Sequence, residues 1–367
     1  MLYEKLQIKE MTLANRLVRS ATWEGLATPE GFTTKKLEDV MLDLVDGGVG
    51  LLITGHMFVH EQGRASERQL GIYSDECLPG LRQMVKNIHA QGGVVVAQLA
   101  HAGGEAAHRQ SGMPALGPSP FTRRDGEECG TMTEQDINEM VSAFRLAAAR
   151  AVAAGFDAVQ IHSAHGYGLS QFLSPLLNKR NDLYGGSLEN RARPLIRVYE
   201  AIRETVGENY PVLLKINCRD YIEGGLELEE SVSIIQGLAK LGLDAVEISG
   251  GLLSNSPATS AVRVGNFDTP AKEAWNREAA VVVKKHSHIP VMLVGGLRSF
   301  SVAEGLLADG TIDCVSMSRP LIREPHLANR WANGEFRKAE CISCNKCFEV
   351  LYKDKGFYCP VAKDDQE

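Results

Sequence analysis

Residues 133–162 read TEQDINEMVSAFRLAAARAVAAGFDAVQIH, and this stretch contains the unit from which the chain is built. Ile137, Val141, Phe144 and Ala148 fall at i, i+4, i+7 and i+11, the spacing of one apolar helix face. Thr133 and Asp136 form a capping-box pattern ahead of it. Ala153-Ala154-Gly155 then places a glycine where a helix should stop. Ala158–His162 follows as a short run that is mostly apolar rather than alternating, which predicts a strand buried on both faces.

The same unit recurs in both directions. Helix–glycine–strand junctions stand at Val45–Val49, Ala90–Val94 and Lys240–Ala245. Apolar runs recur at Leu17-Val18, Val49–Thr54, Val94–Leu99, Val212–Asn217, Ala245–Ser249, Val291–Val294 and Cys314–Met317. About eight strands alternating with helices predict an α/β chain folded as a (β/α)8 TIM barrel. A doubly wound sheet is the competing architecture. It normally carries a G-x-G-x-x-G after a strand, and none is present. The barrel is assigned to residues 1–335, and a short cysteine-rich tail to 336–367.

Composition narrows the function. Of 367 residues 44% are hydrophobic and 23% charged, a mix that excludes disorder. The net charge is −7 and no basic stripe stands out, which argues against a nucleic-acid partner. The longest apolar runs, such as Val94–Ala97, fall far short of the ~20 residues that cross a bilayer. Met1–Lys5 is followed by no apolar core, so no signal peptide is read and a cytoplasmic location is expected.

In a barrel the chemistry belongs to residues that end the strands. Polar residues gather there: Ser20 and Thr22, Thr54 and His56, Gln98 and His101, His162 and His165, Lys215 and Asn217, Ser249, and Ser318 with Arg319. In Ile161-His162-Ser163-Ala164-His165-Gly166-Tyr167 two imidazoles three apart suit a donor pair on one ligand edge. A metal is the alternative, but no carboxylate or third histidine sits nearby at ligand spacing. Tyr167 suits a general acid. Gly295-Gly296 and Ser316–Arg319 fit a phosphate site, in which glycine amides, a short helix start and an arginine meet an anion. Lys215 would place a cation inside the ring. Together these suggest a phosphorylated heterocycle; FMN and a sugar phosphate both satisfy the phosphate part.

Four segments then resemble the old yellow enzyme family of FMN-dependent ene-reductases: Asn15–Val18, Ala97–Gly103, His162–Tyr167, and Phe172–Pro175 running into Tyr184–Arg191. The resemblance implies that Gln98 binds the flavin pyrimidine edge and that Lys215 sits by flavin N1 and O2. It implies phosphate contacts from Gly296, Ser318 and Arg319, with Gly295 beside them, and a flavin-edge segment at Ser20, Ala21 and Thr22. His162 and His165 would bind a substrate carbonyl and Tyr167 would donate the proton. Many members carry Thr or Cys near flavin O4; Trp23 aligns there, unless a one-residue shift brings in Thr22.

Cys341, Cys344 and Cys347, followed by Cys359, resemble the iron–sulfur motif of the dienoyl-CoA reductase and trimethylamine dehydrogenase branch. A four-iron–four-sulfur cluster is expected, with zinc and free thiols as the alternatives. The function implied is reduction of an activated C=C bond in an α,β-unsaturated carbonyl, with NAD(P)H or another external donor supplying electrons. A flavin amine-type dehydrogenase and an electron-transfer protein without small-molecule turnover are the alternatives. A homo-oligomer is expected.

Overall fold

The computed structural model describes residues 1–107, 111–123, 125–252, 259–265, 267, 269–353 and 356–364. Eight parallel strands follow one another in chain order: β1 (Leu17–Arg19), β2 (Leu51–Ile53), β3 (Val95–Ala100), β4 (Ala158–Ser163), β5 (Val212–Asn217), β6 (Ala245–Ser249), β7 (Val291–Val294) and β8 (Cys314–Met317). Each pairs with the next, and β8 returns to β1 through Met317 opposite Arg19, which closes the ring. Register is continuous around it, with Gln98 opposite Gln160 and Lys215 opposite both His162 and Glu247. The expected (β/α)8 barrel is the fold.

Among the described residues one longer helix follows each of the first seven strands: α1 (Lys35–Asp46), α2 (Leu78–Ala90), α3 (Glu134–Ala154), α4 (Leu188–Val206), α5 (Leu228–Lys240), α6 (Arg277–His286) and α7 (Phe300–Ala308). The repeating unit forms as its residues dictate. Thr133 and Asp136 complete a reciprocal capping box at the start of α3, and Gly155 ends it at φ 90°. Ile137, Met140, Phe144, Ala147 and Ala151 turn inward, and every residue of β4 is buried. Each fully buried large apolar side chain contributes ~1.5–3 kcal/mol, so this face, rather than helix propensity, holds α3 on the sheet.

An antiparallel hairpin, Leu6–Ile8 with Met11–Leu13, precedes the first strand. Its Ile8, Met11 and Leu13 pack on Val18, Leu51, Val96, Leu213 and Met292 and plug one end of the barrel. The alternating M-T-L pattern was its only signal, and three-residue strands carry too little periodicity to read. The other end stays open. After β8 come α8 (Arg319–Arg323) and α9 (Leu327–Ala332), and the cysteine tail contributes α10 (Lys346–Tyr352). No helix among the described residues is long and apolar enough to cross a membrane.

Candidate active site

A cavity of about 540 Å³ opens at the strand ends, and the twelve barrel residues expected to be catalytic or flavin-binding line it: Ser20, Ala21, Thr22, Gln98, His162, His165, Tyr167, Lys215, Gly295, Gly296, Ser318 and Arg319; of the other strand-end polar residues, His56 and Ser249 join them, whereas Thr54, His101 and Asn217 lie outside the lining. The twelve come from six strands or the turns that follow them, which is the convergence that only barrel closure brings about.

The floor is a chain of buried polar groups. Gln98 Nε2 donates to Gln160 Oε1 at 2.7 Å, and Gln160 Nε2 donates to Glu247 Oε2 at 3.1 Å. Lys215 Nζ lies 3.2 Å from the same carboxylate oxygen and donates to Ser20 Oγ at 2.7 Å. Lys215 and Glu247 are 3% and 0% exposed, so neither charge could persist there alone. Glu247 was missed in the sequence. Its signal was a carboxylate inside the apolar run Ala245–Ser249, which demands a buried cation.

The turn after β1 is pinned by a second buried pair, Arg19 with Glu24 at 2.6 Å; the same guanidinium donates to the carbonyls of Ile53 and Thr22. This leaves the Thr22 hydroxyl bonded to Ser20 O and paired with Ser318 Oγ at 2.7 Å. Trp23 leans on Tyr352 of α10, ring centroids 5.5 Å apart, and its buried Nε1 has no protein partner.

The glycine pair after β7 is held where larger residues would not fit. A Cβ on Gly296, which has φ 74°, would stand 2.4 Å from the Trp275 ring, and one on Gly295 3.0 Å from Trp275 Nε1. Arg298, two residues on, donates to Gly296 O at 2.7 Å and to Cys341 O at 2.6 Å, and its NH2 donates to Ser343 Oγ. Arg319 donates to Arg263 O at 2.9 Å and to Asn345 Oδ1. Burial lowers its basicity, while the nearby cysteine sulfurs act in the opposite direction. Backbone amides at glycines, Arg319 and the buried Ser316 hydroxyl, which has no protein partner, make a cradle that suits a phosphate. The residues therefore fit FMN. Arg298 and Trp275 had escaped the sequence reading, since neither falls at a strand end.

On the opposite wall four rings meet. His162 lies 5.4 Å from His165 and 5.5 Å from Tyr167 between centroids, both edge-on; His56 stacks on Tyr167 at 5.4 Å and 26°. His165 Nε2 is 2.7 Å from Ser249 Oγ, and its backbone, at φ 65°, donates to Asn217 Oδ1. Burial is the main reason that all three imidazoles resist protonation: it pushes His165 down to about 3, His56 to about 4, and His162 well below the ordinary value, with Lys215 adding repulsion.

Cys341, Cys344, Cys347 and Cys359 line one small hollow of about 20 Å³ with Arg319 and Asn345. Arg298 NH2 reaches the Cys341 sulfur at 3.9 Å, and Arg323 NH1 reaches the Cys359 sulfur at 3.8 Å. Burial raises the Cys347 thiol to about 11, and Arg319 opposes this. Among the described residues no three His, Cys, Asp or Glu side chains converge to hold a single metal ion. The tail is also a wall of the main cavity, through Asn345, Phe348 and Tyr352.

Residues 1–337 match the model of the NADH:flavin oxidoreductase / NADH oxidase family. The chain is 36% identical to an NADPH dehydrogenase of Halalkalibacterium halodurans over 332 residues, covering 89% of this chain and 92% of that protein. It is 34% identical over 364 residues to a metal reductase of Desulforamulus reducens, covering 98% of this chain but 53% of that protein. A 2-naphthoyl-CoA reductase solved with 2-naphthoyl-CoA superposes with a TM-score of 0.89 at 27% identity, covering 98% of this chain and 56% of that one. The chain thus spans about half the length of some relatives that it matches and nearly all of others. With the barrel, the cavity and these likenesses together, the chain belongs to the NADH:flavin oxidoreductase / NADH oxidase family.

Proposed function

We propose that the protein reduces the activated C=C bond of an α,β-unsaturated carbonyl compound, with NAD(P)H as electron donor. The observation that carries this reading is the meeting of His162, His165 and Tyr167 on one wall of the cavity whose other walls fit FMN. Gln98, Lys215, Ser20, Ala21 and Thr22 would hold the flavin ring, and Gly295, Gly296, Ser318 and Arg319 its phosphate. FMN held there would supply the hydride that reduces the C=C bond.

The chain's own residues do the rest. His162 and His165 donate hydrogen bonds to the carbonyl oxygen, and because burial keeps them neutral they polarise it without holding a competing anion. Negative charge passes to the α-carbon and oxygen, and the Tyr167 hydroxyl gives its proton to the α-carbon. The buried Lys215 would hold positive charge at the floor of the flavin site. Anaerobic incubation with NADPH and 2-cyclohexenone tests the reading: cyclohexanone should form in step with NADPH consumed. Flavin reduction without any saturated ketone would reject it.

Cys341, Cys344, Cys347 and Cys359 are proposed to hold a four-iron–four-sulfur cluster. Zinc needs four sulfurs at ~2.3 Å from one point, whereas a cubane takes one thiolate at each of four separate irons. The C-x2-C-x2-C spacing with Cys359, and the gathering of all four thiols around one hollow, support the cluster. The neighbouring Arg298, Arg319 and Arg323 would offset its negative charge. Iron and acid-labile sulfide, assayed anaerobically, should each approach four per chain; one zinc with no sulfide would refute the assignment.

A further inference from the structure

His56 has no role in the account above, yet it is as firmly placed as the residues that do. Gly55 before it has no room for a side chain, since a Cβ there would stand 2.4 Å from Glu24 Oε2 and 2.8 Å from Thr22 O. Its carbonyl accepts from Gln69 Nε2 at 2.7 Å, and its ring stacks on the phenol of Tyr167. The side chain lines the main cavity. Nonetheless its Nε2 is buried without a protein partner, and so is Nδ1 of His162, whose ring centroid lies 6.2 Å away. A buried polar nitrogen left unsatisfied costs ~1–3 kcal/mol, so two side by side on a cavity wall call for a partner that the protein does not provide. His165 differs, because its Nε2 is already engaged by Ser249.

We infer that His56 is a third substrate-contacting imidazole, which together with His162 selects substrates whose activating group carries a second hydrogen-bonding oxygen, such as a nitro, ester or carboxyl group. The inference rests on the proposed reading of this cavity as the site of C=C reduction. His162 and His165 take the first oxygen, and His56 takes the second. Stacking on Tyr167 fixes the His56 ring, so little rotamer freedom is lost when the contact forms.

The test compares the FMN-loaded wild type with His56→Phe, which keeps a ring on Tyr167 but has no nitrogen, and with His56→Gln, which keeps a donor. Two probes are used: 2-cyclohexenone with one oxygen and 1-nitrocyclohexene with two. For each, KM and kcat are measured, and the dissociation constant is read by titrating the oxidised flavin's absorbance. In His56→Phe the nitro compound should lose about 3- to 10-fold in KM and dissociation constant, the size of one neutral hydrogen bond, while cyclohexenone stays within about twofold. His56→Gln should recover part of the difference. Equal effects on both probes, or none on either, would overturn the assignment. A wild type that turns neither probe over would reject the proposed C=C reduction, while the titrations would still decide whether His56 discriminates between them.

Discussion

Arg298 donates from NH1 to the carbonyl of Gly296 and from Nε to the carbonyl of Cys341, so one guanidinium joins the candidate phosphate loop to the cysteine tail. The tail is therefore part of the wall of the flavin cavity rather than an appendage. Arg298→Ala would strip three acceptors of their donor, the buried Ser343 Oγ and the half-buried carbonyls of Gly296 and Cys341, with an expected loss of about 3 kcal/mol in unfolding free energy. It should also speed FMN release on gel filtration. Unchanged denaturation midpoints and full flavin retention would show that the link is incidental.

Lys215 and Glu247 form a charge pair on the barrel floor, and each depends on the other. Lys215→Met alone should cost about 3–5 kcal/mol, because a buried carboxylate loses its counter-charge. Adding Glu247→Gln should restore part of that stability. Urea denaturation of the two single variants and the double variant measures the coupling. Strict additivity would mean that the pair does not interact as described.

The depressed imidazoles predict two pH effects with definite signs. His56, His162 and His165 should remain neutral above pH ~5, so kcat/KM for an enone should show no inflection near 6.5, the unperturbed histidine value. Stability moves in the opposite sense to that of a salt-bridged histidine. Each folded-state value lies below the unfolded one, so between them the unfolded chain binds more protons. No stability is lost above ~6.5, and it declines as pH falls from there towards about 4 for His56 and about 3 for His101 and His165. Urea midpoints at pH 7.5, 6 and 5 check the slope; a rise on acidification would contradict it.

The barrel could be read in the sequence because helix, glycine stop and doubly buried strand recur with their caps intact, as at Thr133, Asp136 and Gly155. The candidate site was legible wherever chemistry falls at a strand end, since closure sends all those ends to one mouth. What was not legible depends on tertiary neighbours. Glu247 matters through a lysine on the adjacent strand, Arg298 through a tail 43 residues away, and Trp275 through its fit over two glycines. His56 was seen at its strand end, but nothing in the sequence announced its stacking on Tyr167. The Trp23 puzzle likewise has a partner from the tail, Tyr352.

The central claim is that Tyr167 protonates a substrate beside FMN, and rapid mixing of the two half-reactions tests it most directly. Flavin reduction by NADPH in Tyr167→Phe should proceed at close to the wild-type rate. Reoxidation of the reduced variant by 2-cyclohexenone should slow by ~10²–10⁴-fold, the loss expected for a positioned general acid. Equal slowing of both half-reactions, or unimpaired reoxidation, would contradict the account.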